Sequence, residues 1–222
     1  MLRCALATIL VFLLAGIPLP ARPADTPNLL PLGVVTQASG AHFRAAKVSA
    51  GATIYDGDRL STEAEGALQF RGSAAVFYLP GSSGVTLHGL PMGTQAQLQT
   101  GTVVFSTAKA VAMEILADGA FIRPLADGPM IAQVTIVGPK ELQIRARRGA
   151  LQFAYAGETE KIVEGASYRI VLDPPEAAPP FPQRVPTKAG RESKKYKIIA
   201  IVAIGWATEW SFHEIFESPA RP

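Results

Sequence analysis

Few side chains in this 222-residue sequence stand at spacings that could do chemistry. Ser106-Thr-Ala-Lys109 has the serine–lysine spacing of penicillin-recognising enzymes, in which one helical turn brings the lysine beside the serine. Here the motif ends a predicted strand, with no Ser-Asp-Asn or Lys-Thr-Gly partner, so it predicts no nucleophile. His213-Glu-Ile-Phe-Glu217 begins like a zinc-protease helix, but Glu217 stands where the second histidine ligand belongs. A solvated helix end with i,i+4 pairs accounts for it equally. His42 and His88 are isolated and read as surface or strand-face histidines. Asp56, Asp58 and Glu63 could form an acidic patch, although turn formation explains the aspartates and no calcium-ligand loop is present. Arg145, Arg147 and Arg148 form the densest basic cluster of the central region. They read as a solvated turn or as a contact for a lipid headgroup, an envelope polysaccharide or a partner's carboxylates. The expectation is therefore a non-enzyme with no catalytic, cofactor-binding or metal-binding residue and no cofactor.

The elements that would carry these residues are strands. Between Gly33 and Leu172, Val, Ile, Thr, Phe and Tyr cluster in short runs punctuated by Gly, Asp and Pro. Predicted strands are Gly33–Gln37, His42–Lys47, Thr53–Tyr55, Arg59–Ser61, Gly66–Phe70, Ala75–Leu79, Gly84–His88 and Ala96–Gln99. Val103–Ser106, Val111–Leu116, Ala120–Arg123, Ile131–Val137, Glu141–Arg145, Ala150–Ala154, Lys161–Val163 and Tyr168–Leu172 follow. Asp56-Gly57, Asp118-Gly119 and Asp127-Gly128 have the composition of type I′ hairpin turns. Gly66-Ala-Leu-Gln-Phe70 recurs letter for letter as Gly149-Ala-Leu-Gln-Phe153, with Gly101-Thr-Val-Val-Phe105 a looser copy. In each copy the third and fifth residues share one strand face, as core-building positions do. The pattern predicts an all-β fold, a twisted β-solenoid or a jelly-roll-like sandwich, with helical hydrophobic segments at both termini.

With 48% hydrophobic residues the chain can bury a core. From Asp25 to Asp173, 12 Lys and Arg stand against 13 Asp and Glu, so the central region is near neutral and no nucleic-acid partner is expected. The single cysteine, Cys4, excludes an internal disulfide and a cysteine-built metal site. Residues 1–24 have the three parts of a signal peptide: Arg3, the apolar run Cys4–Ile17, and the Pro- and Ala-containing break Pro18–Ala24. Residues 173–197 are Pro-rich, with six prolines between Asp173 and Pro186, and then basic. Residues 198–216 are mainly apolar, with Glu209, His213 and Glu214 required to lie near one membrane surface and Trp206 and Trp210 suited to its interface, and predict a transmembrane or interfacial helix.

One stretch carries a family resemblance. Gly51-Ala-Thr-Ile-Tyr-Asp-Gly-Asp-Arg-Leu-Ser-Thr62, then Gly66–Phe70 and Gly72-Ser73-Ala-Ala-Val-Phe-Tyr-Leu-Pro80, resembles the FecR-type periplasmic domain. Leu98–Phe105, Arg148–Phe153 and Glu164–Tyr168 resemble its later strands, so the resemblance covers 33–172. Gly138-Pro-Lys-Glu-Leu142 departs from the family's glycine-threonine strand, and the cytoplasmic helical region of FecR-type sigma-factor regulators is not found ahead of the domain. What the resemblance implies is an exported, non-catalytic binding or scaffold domain. It would sit in the periplasm of a bacterium, held at the inner membrane by its C-terminal tail, and meet an envelope protein or polysaccharide. The alternative it implies is a signal-transducing regulator that senses a partner and acts through a membrane partner.

Overall fold

The computed structural model describes residues 30–174 and 195–201. The signal-peptide segment 1–24, Cys4, the tail beyond Ile201, His213 and Glu217 lie outside them. The described chain is all-β, as expected, and all its strand pairings but one are antiparallel. In order the strands are β1 (Pro31–Phe43), β2 (Ala46–Lys47), β3 (Thr53–Tyr55), β4 (Arg59–Gly72), β5 (Ala75–Leu79), β6 (Gly84–Leu90), β7 (Gly93–Thr100) and β8 (Thr102–Thr107). After the 3-10 turn Ala110–Ala112 come β9 (Met113–Ala117), β10 (Ala120–Pro124), β11 (Met130–Gly138), β12 (Glu141–Arg148), β13 (Leu151–Tyr155), β14 (Glu158–Ile162), β15 (Ser167–Leu172) and β16 (Tyr196–Ile201).

These strands form one sheet that bends back on itself. β4 pairs with β6 through Arg59–Ser61 and with β5 through Leu68–Arg71, so β5 and β6 follow one another along it. β7 and β8 follow one another along β6 and β5 in the same way, with Gly101 between them. β1 also runs the length of β4, with register shifts at Val35/Gln37 and Ser39/Ala41. Four stretches of chain thus pass through a common bend, the device by which strands change layers in orthogonally packed sheets. One layer continues from β6 and β7 through β9, β10 and β13 to β14. The other continues from β5 and β8 through β11, β12 and β15 to β16. The all-β class is as expected, and the strands make one continuous curled sheet.

The bend has a steric requirement. A Cβ on Gly66 would collide with the Gly40 carbonyl oxygen, and one on Gly101, whose φ is +75°, with the Ser82 carbonyl oxygen. Glycine alone lets these backbones meet. The repeated motif now has a geometric meaning. Gly66 and Gly101 stand at the bend, and Gly149 stands where the chain crosses from β12 in one layer to β13 in the other. Two and four residues later the side chains point inward. Leu68 and Phe70, Val103 and Phe105, and Leu151 and Phe153 are all fully buried. Each phenylalanine contributes about 1.5–3 kcal/mol by burial.

Several expectations are corrected. Arg59–Ser61 and Gly66–Phe70 belong to one strand of fourteen residues, because the polar step Glu63-Ala-Glu65 is a bend and not a loop. Asp118 and Gly119 both have positive φ and make the expected tight turn of the β9–β10 hairpin. At Asp56-Gly57 and Asp127-Gly128 only the glycine does, so neither is type I′. Asp56-Gly57 joins β3 to β4, which do not pair with each other. The helix expected from residue 198 does not begin there: Ile198–Ile201 lie in β16, as do Tyr196 and Lys197 of the expected linker. Among the described residues no helix is long and apolar enough to cross a membrane.

Substituting Gly66→Ala should lower stability by about 1–3 kcal/mol, the usual cost of forcing an extra methyl into a filled site. Phe153→Ala should cost about 3–5 kcal/mol. Urea unfolding of the two variants beside the parent protein checks both, and an unchanged midpoint for Gly66→Ala would remove the glycine requirement from the bend.

Candidate functional site

The residues with chemical potential are dispersed. His42 Nε2 meets Glu63 Oε1 at 2.7 Å beside the bend, and this hydrogen bond is the main reason the Glu63 carboxyl is held below its ordinary range. Asp58 is buried, and its carboxylate accepts the Tyr55 backbone N–H at 2.8 Å, closing the turn into β4. Asp56 Oδ1 accepts the Gly89 backbone N–H at 2.9 Å and lies 3.6 Å from His88 Nδ1. The three acids of the expected patch therefore serve separate backbone and histidine partners. Among the described residues no group of three or more His, Cys, Asp or Glu could hold a metal ion. Ser106 sits on the outward face of β8, while Lys109 follows the strand, its backbone N–H bound by Thr107 Oγ1 at 3.1 Å. No helical turn aligns the serine with the lysine. Arg145 and Arg147 lie on the outer face of β12, with Arg148 exposed at its end.

The distinctive place is where the two layers end. β14 closes one layer and β16 the other, and among the described residues each pairs on one side only. Between them lies a hollow of about 430 Å³ lined by Glu160, Lys161 and Ile162 of β14, Tyr168 of β15, and Tyr196, Lys197 and Ile198 of β16. Its floor is fixed by aromatic packing across the layers, with the Phe153 and Tyr196 rings edge to face at a centroid distance of 5.2 Å. Tyr196 is buried although it lies on the last described strand. A polar tie holds one end. The Tyr155 hydroxyl, at the end of β13, donates to Asp173 Oδ2 at 2.6 Å, and Lys140 Nζ lies 3.5 Å from the same oxygen. The Asp173 backbone N–H bonds to the Lys195 carbonyl at 2.8 Å, which seats the start of β16.

An edge strand presents a row of unused N–H and C=O groups and is a template for another extended chain. Here two such rows border one hollow with a mixed lining, polar at Glu160, Lys161 and Lys197 and apolar at Ile162, Tyr196 and Ile198. That arrangement can bind a polypeptide in extended form. It offers no nucleophile paired with a base. Sequence reasoning placed Tyr196–Ile198 in the linker and tail and so missed this hollow. The available signal was the β-branched and aromatic run Tyr-Lys-Ile-Ile-Ala-Ile, which suits a strand as well as a membrane segment.

The fold defines an all-β domain whose sheet ends, among the described residues, in the edge strands β14 and β16. No protein-family model and no curated protein matches the chain. Two crystal structures of a putative anti-sigma factor from Parabacteroides distasonis ATCC 8503, at 1.65 and 2.50 Å resolution, are similar to it with TM-scores of 0.43 and 0.42 and 9% identity. Each match covers 50% of this chain and 53% of the other, so the chain spans about half the length of the structures it matches.

The tie across the layers should make stability depend on pH at both ends. The hydrogen bond from Tyr155, with help from Lys140, holds the Asp173 carboxyl below its ordinary value, so its stabilisation is present above that value and is lost as pH falls through the lowered one. The same bond, with burial, raises the Tyr155 hydroxyl, whose stabilisation is present below its ordinary value and is lost as pH rises through the raised one. The melting temperatures of the parent and Tyr155→Phe should therefore differ most near neutrality and converge in acid and in alkali. A constant difference across pH would contradict the tie.

Proposed function

We propose that this protein is a non-catalytic binding module, FecR-like in plan, that takes an extended polypeptide segment of an envelope protein at the hollow between β14 and β16. The observation that carries this reading is the pair of one-sided edge strands bordering one hollow. Backbone pairing along an edge supplies affinity, and the flanking side chains select the partner. The apolar run Cys4–Ile17 behind Arg3 supports export to the periplasm of a bacterium. The tail supports attachment to the inner membrane. With Ile198–Ile201 taken up by β16, the rest of the expected helix is residues 202–216, fewer than the ~20 needed to cross a bilayer. An interfacial segment is therefore the form we favour.

The regulator reading has one observation in its favour. β16 runs directly into the tail, so a chain added at this edge is one strand away from the attachment point. Binding there could be passed to a membrane partner without any catalytic step.

Separate proline substitutions at Ile198 and Ile199 test the binding reading. Alternate N–H groups of an edge strand face its neighbour and the open side, so one variant loses a bond to β15 and the other only an open donor. The second should keep its melting temperature and lose crosslinking, in native cells, from a photoreactive residue at Lys161 to a polypeptide partner. Crosslinking unaffected in both variants, or confined to lipid, would overturn the reading.

A further inference from the structure

A second surface, on the outer face of the layer that ends in β16, has its own chemistry. Arg71, Val76, Ser106, Ile131 and Arg148 are direct partners across β4, β5, β8, β11 and β12 and make one row across the strands. At ~4.8 Å per strand the row spans ~19 Å between its terminal arginine backbones. The row lines a hollow of about 450 Å³ with Ser73 and Thr107 on its wall and no acidic residue among its lining. Arg71 and Arg148 are exposed, and neither forms an ion pair among the described residues. Two guanidiniums facing one hollow without counter-charge suit anionic oxygens, which arginine binds in a fork geometry.

The neighbouring row indicates what carries the anion. Gln69, Tyr78, Val104, Gln133, Arg145 and Ser167 are partners across β4, β5, β8, β11, β12 and β15. Gln69, Tyr78, Gln133 and Arg145 of this row are half-buried and supply amide, phenol and guanidinium groups able to hydrogen-bond a polyol, while Val104 and Ser167 are buried. Every strand beneath both rows pairs on both sides, so its backbone groups are already used. A peptide cannot add here as a strand. Only side chains read the ligand, as suits a sugar chain with carboxylates.

The geometry points to a binding site for an acidic polysaccharide, a chain of uronate-type sugars, laid across β4, β5, β8, β11 and β12 with its carboxylates on Arg71 and Arg148. This site is separate from the edge hollow and stands whether or not that hollow takes a polypeptide.

Isothermal titration of the full chain in mild detergent with a hexauronate, a neutral glucan hexamer and poly-glutamate tests the assignment. Expected are binding of the hexauronate alone, a loss of about tenfold in affinity in each of Arg71→Gln and Arg148→Gln, and further weakening with added salt. Both arginines are exposed, so matching melting temperatures confirm that the variants fold. No hexauronate binding, equal affinity for poly-glutamate, or affinity unchanged in both variants would overturn the site. Loss of the Lys161 crosslink does not bear on it, which keeps the two surfaces separately testable.

Discussion

Four stretches of chain can turn from one layer of a sheet into another at the same place only if their backbones come into contact there. In this protein that contact involves Gly66 against Gly40 and Gly101 against Ser82, where any side chain would displace a carbonyl group. The rest of the architecture follows from the bend. It sets the two layers facing each other, so that Phe70 and Phe105 from one and Phe153 from the other all reach a single interior. Close backbone approach and core burial are thus coupled in the same five-residue motif. Its glycine permits the turn between layers, and the two apolar side chains that follow fill the space the turn encloses.

Among its described residues the sheet is closed along the bend and open at β14 and β16. At the open side an edge-to-face aromatic pair, a phenol–carboxylate hydrogen bond and a lysine beside it tie the layers. Among the described residues these ties hold the layers together and leave the outer backbone edges of β14 and β16 uncovered. In a stable domain, exposed edges invite association and are commonly blunted by charge. Glu158, Glu160 and Lys161 on β14, and Lys197 on β16, are charges of that sort. Charges so placed guard against indiscriminate edge pairing.

Much of this fold was legible from local pattern. Alternation of apolar and polar residues located most strands, and the recurrence of Gly-x-apolar-x-Phe identified core positions, because both signals lie within a few residues of one another. What the glycines do was not legible, since Gly66 answers to Gly40 and Gly101 to Ser82, and only the folded register brings them together. The same limit hid the arginine row: Arg148 was visible within a basic cluster, but its counterpart Arg71 lies across three intervening strands. Glu63-Ala-Glu65 fell between two predicted strands, because a bend interrupts the apolar alternation just as a loop does. Tyr196 and Lys197 were read as the end of a basic linker and Ile198–Ile201 by hydropathy as the start of a membrane helix, the β-branched composition being outweighed by the length of the apolar run that follows.

Among the described residues β16 is a sheet strand with one edge paired to β15 and the other open. Amide hydrogen exchange resolved along Tyr196–Ile201 in the intact protein tests it most directly. An alternating pattern is predicted, with slow exchange at the amides that face β15 and fast exchange at those that face the hollow. Uniformly fast exchange would show that the strand is not formed, and uniformly slow exchange that the edge is already covered; either result would contradict the account.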